Sequence, residues 1–279
     1  MTMKMLICAD GSDNSNIALE YGIYIAPKFN ATIAGIHVID ASLIQGPLTT
    51  DISGAVGMQP YDGFFEAIET SLKEKAQFIL KDFQERCQKN GFAAEVKMTI
   101  GKIDQIIMEE AQSSDLVIMA KKGEHFHLKE GGLLGTVAES VTRNCGKPVL
   151  VTPEKFQEIE SMGIAYDGST PAKKALKLSL EISAQATWPL TVVMITADTK
   201  KADILCTEAE ELAGKCNVDC EMIVLQGKES EEILKFIREG SVELMVMGAY
   251  GQNRLRELFL GSTTTNVIRK SSIPVLLTR

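Results

Sequence analysis

The chain has 279 residues, of which 45% are hydrophobic and 24% charged, and its formal net charge at pH 7 is −8. Such a composition is ordinary for a soluble globular protein. An acidic chain without a basic stripe is a poor ligand for nucleic acid, and it lacks the polybasic segment that an anionic membrane surface attracts. No apolar run approaches the roughly 18 residues of a membrane span. We therefore expect no nucleic-acid partner and no membrane association.

The cysteines and the amino terminus indicate a cytoplasmic protein. The first apolar patch meets Asp10 at once, which predicts a first strand and not a signal peptide. The cysteines form no CxxC pair and show no zinc spacing with histidine, so we expect reduced thiols, although a redox pair of Cys216 and Cys220 stays an alternative. The six positions are Cys8, Cys87, Cys145, Cys206, Cys216 and Cys220.

Strands and helices alternate along the chain, which predicts parallel sheets covered by helices on both faces. The Asp13–Ser15 cluster suits the N-cap of the first helix. In the first half we predict strands at 4–9, 32–39, 94–100, 116–119 and 148–151, and helices at 15–29, 61–90, 103–111 and 136–144. In the second half we predict strands at 163–165, 190–195, 221–224, 244–247 and 275–278, and helices at 171–185, 201–216, 230–239 and 263–270.

An internal repeat divides the chain into two copies. The start, the glycine loop and the last strand of each half recur, and a polar connector separates them. We predict one α/β domain at residues 1–153 and another at 161–279, each with a doubly wound, five-stranded parallel sheet. The repeated segments are 6–12 with 163–169, 115–123 with 243–251, and 146–153 with 272–279.

The glycine loop of the second half predicts an anion site. An apolar strand ends at Gly248, Gly251 follows, and Gly261-Ser262 opens a helical pattern. Glycine allows close backbone approach to a ligand, and the N–H groups at a helix start bind phosphate. Thr263 and Thr264 add hydroxyl donors there. Glycines that only make tight turns are the alternative interpretation.

The first half departs from this pattern in two places. Gly248 is replaced by Ala120, two extra residues lie between Gly123 and Gly135, and Thr136 is the hydroxyl that remains. Glu124 and Glu130 enter the loop, and negative charge near a phosphate is unfavourable. We expect this site to be weakened or lost. The first half also carries an insertion rich in Gly, Ser, Thr and Pro, residues 41–60, which predicts a surface loop, with a lid or an oligomer contact as the alternatives.

These residues resemble the universal stress protein family in its tandem two-domain form. The family motif G-x2-G-x9-G-[S/T] is matched from Gly248 to Ser262, and the turn Asp167-Gly168-Ser169 resembles the family's opening signature. The resemblance implies a flavodoxin-like fold that binds ATP, or AMP or ADP, with Mg²⁺ as a possible companion. It also implies dimerisation through the last strand, so that 148–152 and 274–279 would pair as an intrachain pseudo-dimer, and it favours a homo-oligomer.

The resemblance assigns roles to residues of the second half. Asp167 would face the ribose or a metal–phosphate group, Ile195 the adenine edge, and the helix start the phosphates. In the first half the corresponding residues are Asp10, Val38, Ala120, Gly123, Gly135 and Thr136. The implied nucleotide site consists of Ala165, Tyr166, Asp167, Ile195, Met247, Gly248, Gly251, Gly261, Ser262, Thr263 and Thr264.

Several of these residues have simpler explanations. Asp167 suits either a cap of the following helix or an Asx turn with Ser169, and exposed loop histidines explain His125 and His127 better than a metal site does. His37 and the methionines fit a packed core. Arg254 and Arg256 are either phosphate ligands or solvated charges.

A nucleotide-binding stress or regulatory protein with unknown protein partners is the leading functional hypothesis. Catalysis has little support, because the sequence has neither a P-loop nor a GxSxG elbow, although slow ATP hydrolysis stays open. A scaffold that binds no nucleotide is one alternative. An adenylating enzyme is another, but the turn after the first strand lacks the SGGxDS-like motif of that class.

Overall fold

The computed structural model describes residues 2–45, 64–123, 135–240, 242–248 and 261–279. The strands of the first half are β1 (Met3–Cys8), β2 (Ala31–Asp40), β3 (Ala94–Gly101), β4 (Leu116–Ala120) and β5 (Val149–Thr152). Those of the second half are β6 (Met162–Ala165), β7 (Leu190–Ile195), β8 (Cys220–Leu225), β9 (Leu244–Gly248) and β10 (Val275–Thr278).

Helices connect these strands. In the first half they are α1 (Asp13–Ile25), α2 (Ala41–Gln45), α3 (Phe64–Lys89), α4 (Ile103–Ala111) and α5 (Thr136–Asn144). In the second half they are α6 (Thr170–Ala186), α7 (Thr199–Cys216), α8 (Glu229–Arg238) and α9 (Ser262–Lys270). Among the helices of the described ranges, none combines the length and hydropathy that a bilayer crossing requires.

The strands form one ten-stranded sheet in the order β3-β2-β1-β4-β5-β10-β9-β6-β7-β8. Within each half the pairs are parallel and follow the doubly wound, flavodoxin-like order. The halves join where β5 and β10 pair antiparallel, with Leu276 opposite Leu150 at the centre. The predicted fold class, two repeated α/β units packed as an intrachain pseudo-dimer, is confirmed.

Two apolar layers hold the helices to the sheet, because side chains of a strand alternate between its faces. Ile7 and Ile164 lie in a cluster that includes residues of α1, α3, α6 and α7. Leu6 and Met247 lie in a second cluster, with residues of α4, α5, α8 and α9. Burying one such side chain contributes about 1.5–3 kcal/mol, so the strands that are central in each half are fixed from both sides.

The connector between the halves is packed and not merely polar. Ile159 is fully buried, and its N–H donates to the Tyr24 hydroxyl across 3.2 Å. The Phe156 ring lies 4.9 Å from the ring of Tyr21 and 5.7 Å from that of Tyr24, measured between centroids. The two tyrosines of α1 therefore bind the connector to the first half.

Three predicted features need correction. The N-cap of α1 is Ser12, whose Oγ accepts from the Ser15 N–H, so the predicted Asp13–Ser15 cluster is already inside the helix. The helix ends at Ile25 and not at 29, because the chain turns before β2 through Asn30, whose φ is +46°. The predicted surface loop at 41–60 begins as the helix α2, and its residues beyond 45 lie outside the described ranges.

Candidate functional site

The order of strands reverses between β6 and β9, and the candidate site lies at the carboxyl ends of these neighbours. Exposed Asp167 follows β6, Gly248 ends β9, and α9 begins at Ser262. The first half has the same arrangement, with Asp10 after β1 and Ala120 at the end of β4. The topology therefore gives each half one edge where a ligand of this fold class binds.

Asp167 makes the Asx turn that we predicted as an alternative to a role in ligand binding. Its Oδ1 accepts from the Ser169 N–H across 2.9 Å, and Gly168 has a φ of +78°, in the left-handed region. Ser169 Oγ in turn accepts from the Ala172 N–H and caps α6. The turn therefore fixes the position of the carboxyl group at the sheet edge.

Gly248 is required by packing. A Cβ at this position would lie 2.8 Å from the carbonyl carbon of Pro171 and 2.9 Å from the nitrogen of Ala172. Both are backbone atoms of the first turn of α6, which cannot move aside as a side chain would. Part of the glycine motif is thus explained by the close approach of a helix to the end of β9, whatever binds beyond it.

The amino terminus of α9 offers backbone donors. Gly261 is its N-cap with φ −54°, and among the described residues no side chain caps this helix. The Thr265 N–H donates to the Gly261 carbonyl, which leaves the amides of Ser262, Thr263 and Thr264 at the first turn. Ser262 is exposed and Thr264 is buried. Amides at a helix start, with the positive end of the helix dipole, form an anion site.

Glu229 is a neighbour of this site that the sequence analysis missed. It begins α8, and its Oε2 accepts from Thr263 Oγ1 across 2.9 Å. One hydroxyl that we had predicted to hold a phosphate therefore already has a carboxylate partner. A phosphate bound at the α9 terminus would meet this negative charge unless a cation accompanied it.

The side chains of the predicted pocket divide between the two faces of the sheet. Met247 belongs to the cluster on the α8 and α9 side, and Ala165 and Ile195 pack against that cluster. These three side chains share the face on which α9 lies. Tyr166, one residue after Ala165, lies in the opposite cluster.

Tyr166 is anchored away from α9. Its hydroxyl donates to Glu208 Oε2 across 3.0 Å, and the same oxygen lies 3.1 Å from Lys173 Nζ. Burial, followed by the Glu208 carboxylate, raises the pKa of Tyr166, whereas hydrogen bonding to Lys173 lowers the pKa of Glu208. The ring therefore packs α6 and α7 against the sheet, and Tyr166 reaches the α9 side only through its backbone.

The corresponding residues of the first half come close together. A Cβ on Gly123 would lie 2.7 Å from Asp10 Oδ2, so the backbone of the glycine loop lies against this carboxylate. The Gly135 N–H donates to the Lys121 carbonyl across 2.9 Å. Asn14 Nδ2 donates to the Lys122 carbonyl, which ties α1 to the same loop.

Lys121 connects this loop to the other half. Its side chain is buried, and Nζ donates across 3.3 Å to the carbonyl of Ser271, the C-cap of α9. Burial lowers the pKa of this ammonium group, and the nearby Glu154 carboxylate opposes that shift. Lys121, at the start of the first-half glycine loop, therefore contacts the carboxyl end of α9, the helix whose amino terminus belongs to the candidate site of the second half.

The family model described as the universal stress protein family matches residues 1–153 and 195–279. The chain belongs to this family. A universal stress protein of Synechocystis sp. is 30% identical to it over 286 aligned positions, covering 99% of each chain. One of Methanocaldococcus jannaschii is 34% identical over 157 positions, which cover 56% of this chain and 84% of the relative.

A solved structure supports the same fold for the whole chain. The crystal structure of a universal stress protein from Archaeoglobus fulgidus has a TM-score of 0.75 to this chain, covering 99% of this chain and 96% of that one. At 22% sequence identity, this similarity is one of fold.

A contact between helices recurs in both halves of this universal stress protein. Ser140 Oγ donates to Asp104 Oδ2 across 2.5 Å, and Asn266 Nδ2 donates to Ser230 Oγ across 3.0 Å. Both pairs join the helix after the glycine loop to the preceding helix, and both span 36 residues of sequence. The equal spacing shows that the two contacts occupy equivalent positions of the repeat, although their residue types differ and give no sequence signal.

Some predicted residues lie outside the described ranges, namely Gly251, Arg254, Arg256, Glu124, His125, His127 and Glu130. His37 is buried with Nδ1 2.7 Å from the Ala9 carbonyl oxygen, which confirms its role in packing. Met245 and Met247 are core residues, as predicted. All six cysteines are free thiols, Cys216 and Cys220 included.

Proposed function

We propose that the second half of this universal stress protein binds an adenine nucleotide. ATP is the first candidate, AMP and ADP are the alternatives, and Mg²⁺ would accompany a triphosphate. One observation carries the proposal: the N-cap of α9 is Gly261, with no side-chain cap among the described residues, at the edge where the strand order reverses. Its first-turn amides are suited to phosphate oxygens.

The arrangement of side chains supports a position for the base. Ala165, Ile195 and Met247 are apolar and share the face of α9, so an adenine ring beside them would replace water at these side chains. Asp167 lies at the same edge with its carboxyl fixed by the Asx turn, where a ribose hydroxyl or a metal ion would meet it. Glu229 is a further reason to expect Mg²⁺ with a triphosphate.

We further propose that the chain consists of two domains, 1–153 and 161–279, and that only the second holds nucleotide. In the first half the Gly135 N–H already has a carbonyl partner, and the Asp10 carboxylate lies against the loop. The proposed role is that of a cytoplasmic stress-response protein. Nucleotide occupancy would change its interaction with protein partners or with further copies of the chain.

Isothermal titration calorimetry with ATP and Mg²⁺ tests the proposal, using Gly261→Asp and Gly135→Asp as a matched pair. Both glycines are N-caps with negative φ, and an added Cβ would make only ordinary contacts, the nearest at 3.8 Å and 3.5 Å respectively. Aspartate is a favourable N-cap, so neither variant should unfold. Its carboxylate would occupy the amides that a phosphate needs.

We expect Gly261→Asp to weaken ATP binding by at least about 100-fold, because a fixed negative charge replaces an anion site. Gly135→Asp should leave the affinity unchanged. Binding that survives in the Gly261 variant, or that disappears in the Gly135 variant, would contradict the proposal. A wild-type protein that binds no ATP at millimolar concentration would favour a scaffold, and phosphate release during the titration would reveal an ATPase.

A further inference from the structure

A cavity of about 220 Å³ lies between the two halves, at the amino ends of β4 and β9. It is far along the strands from the carboxyl edge at which the candidate nucleotide site of either half lies. Both halves supply its walls, since α1, β4 and β5 come from one and α6, β9 and β10 from the other. The side chains that matter most are Phe29, Leu150, Leu178, Ile182, Trp188 and Leu276.

The walls of this cavity are apolar and its mouth is acidic. Leu150, Leu276 and Trp188 are buried and form an apolar floor. The polar residues that line it are Asp115, Glu181 and Gln185, all of them exposed, which puts them where the cavity opens to solvent. Asp115 is held in place, because its Oδ2 accepts from the Lys4 N–H.

The size of the cavity limits its occupant. An apolar cavity of roughly 150 Å³ inside a protein stays dry and binds benzene, whereas sites for drug-sized ligands begin near roughly 300 Å³. At about 220 Å³ this cavity accommodates one ring with a short substituent. A ligand that fills it would recover the dispersion contacts that the wall atoms lack.

Charge selects among such ligands. Two carboxylates at the mouth attract a cation and repel an anion. The ammonium group of Lys28 is near, 5.7 Å from the Trp188 ring centroid and 4.8 Å from that of Tyr24. It leaves a net negative mouth, and its position against Trp188 illustrates how this ring attracts cations.

We propose that the cavity binds a small hydrophobic amine. The ring or branched chain of the amine lies against Leu178, Ile182 and Trp188, and its ammonium group lies among Asp115, Glu181 and Gln185. Because both halves contribute walls, the bound amine adds contacts across the pseudo-dimer. The proposal does not depend on nucleotide binding, which involves the opposite edge of the sheet.

The single tryptophan of the chain, Trp188, reports on this site. Benzylamine is titrated to roughly 20 mM, a range suited to a ligand of so few atoms, while Trp188 emission is recorded at constant ionic strength. Toluene and benzoate are the neutral and anionic analogues. We expect a saturable change with benzylamine, an affinity about two- to fivefold weaker for toluene, and a weaker one still for benzoate.

Variants locate the site. Leu178→Phe and Ile182→Phe each fill part of the cavity from partly buried positions of α6, and each should weaken benzylamine binding at least about tenfold. Glu181→Gln removes one carboxylate of the mouth and should weaken it about two- to threefold. Glu20→Gln, at an exposed position of α1 outside the cavity lining, is the matched control and should change nothing.

Circular dichroism of each variant establishes that it is folded. Two cavity-filling variants are used so that the test remains possible if one of them does not fold. No saturable change with wild-type protein would overturn the proposal. Equal affinities for benzylamine, toluene and benzoate would overturn the amine specificity, and undiminished binding to both filling variants would put the ligand elsewhere. An effect of Glu20→Gln on benzylamine affinity as large as that of Glu181→Gln would contradict the claim that the carboxylates at the mouth attract the ammonium group.

Discussion

The two halves of this universal stress protein share a turn and differ at the end of the strand opposite it. Asp10 and Asp167 each accept from the N–H two residues on, across 2.9 Å, and the intervening glycines have φ values of +83° and +78°. The strand that ends opposite this turn carries Ala120 in one half and Gly248 in the other. The turn is therefore maintained by its own geometry, whereas the strand end opposite it differs between the halves.

This difference shows that Gly248, a glycine of the motif, can be explained either by helix packing or by ligand binding. Gly248 has no room for a Cβ because the first turn of α6 lies against it, whereas Ala120 carries a methyl group in the same position of the first half. The helix α1 must therefore leave more space at the end of β4 than α6 leaves at the end of β9. A glycine that a ligand requires and a glycine that a helix requires look the same in the sequence.

The largest expected effect comes from Gly248→Val. Its Cβ would meet backbone atoms of Pro171 and Ala172, and two methyl groups add further volume, so we expect a loss of about 3 kcal/mol in the free energy of unfolding. Urea denaturation of the nucleotide-free protein measures it. The reciprocal change, Ala120→Gly, should cost only about 0.5–1 kcal/mol. Equal costs at the two positions would mean that the helices approach both strands alike.

A second prediction concerns pH. Cys87 of α3 and Ala213 of α7 correspond, since the carbonyl of each accepts from the N–H five residues on. Burial raises the pKa of the Cys87 thiol from 9.0 to about 11. The unfolded chain therefore loses this proton first, and stability falls as the pH rises from about 9 to about 11.

Cys87→Ala, which gives the first half the residue of the second, should remove on the order of 2 kcal/mol of that alkaline loss. Urea denaturation of both proteins at a series of pH values from neutral to alkaline measures it. The comparison uses the change with pH, so that any constant cost of the smaller side chain cancels. Identical pH dependence in the two proteins would refute a role for this thiol.

The smallest predicted effect distinguishes the helix caps. Ser169→Ala removes the cap of α6 and should cost about 1 kcal/mol. Ser12→Ala removes the cap of α1 and, in addition, the bond of 2.6 Å from Ser12 Oγ to Asp10 Oδ1, so it should cost about 0.5 kcal/mol more. Thermal unfolding of both variants measures the difference. A larger cost at Ser169 would reverse this comparison of the two turns.

Much of the fold could be predicted from the sequence, because its signals are local or repeated. Apolar runs located the strands, the repeat made β5 and β10 equivalent, and the family resemblance implied that these two last strands pair. The first helix was predicted too long, since its apolar pattern continues past Ile25 into a turn that Asn30 makes. Nothing in residues 13–15 revealed that Ser12, one position earlier, supplies the cap.

The candidate site was harder to predict, because distance in sequence hides its contacts. The opposite orientations of Ala165 and Tyr166 follow from strand alternation and were available in principle. The bond from Thr263 to Glu229 and the contact of Gly248 with α6 depend on how helices pack, which local patterns do not specify. The cavity between the halves combines side chains more than a hundred residues apart, such as Leu150 and Phe29, so no motif announces it.

The antiparallel pairing of β5 with β10 occurs within a single polypeptide. Dilution cannot separate the two copies, because their tether keeps them at a millimolar effective concentration or above. A dimer of identical subunits must change both of its sites whenever one codon changes. Here each half accumulates substitutions independently. Because the two halves cannot exchange between molecules, every molecule keeps one half of each kind.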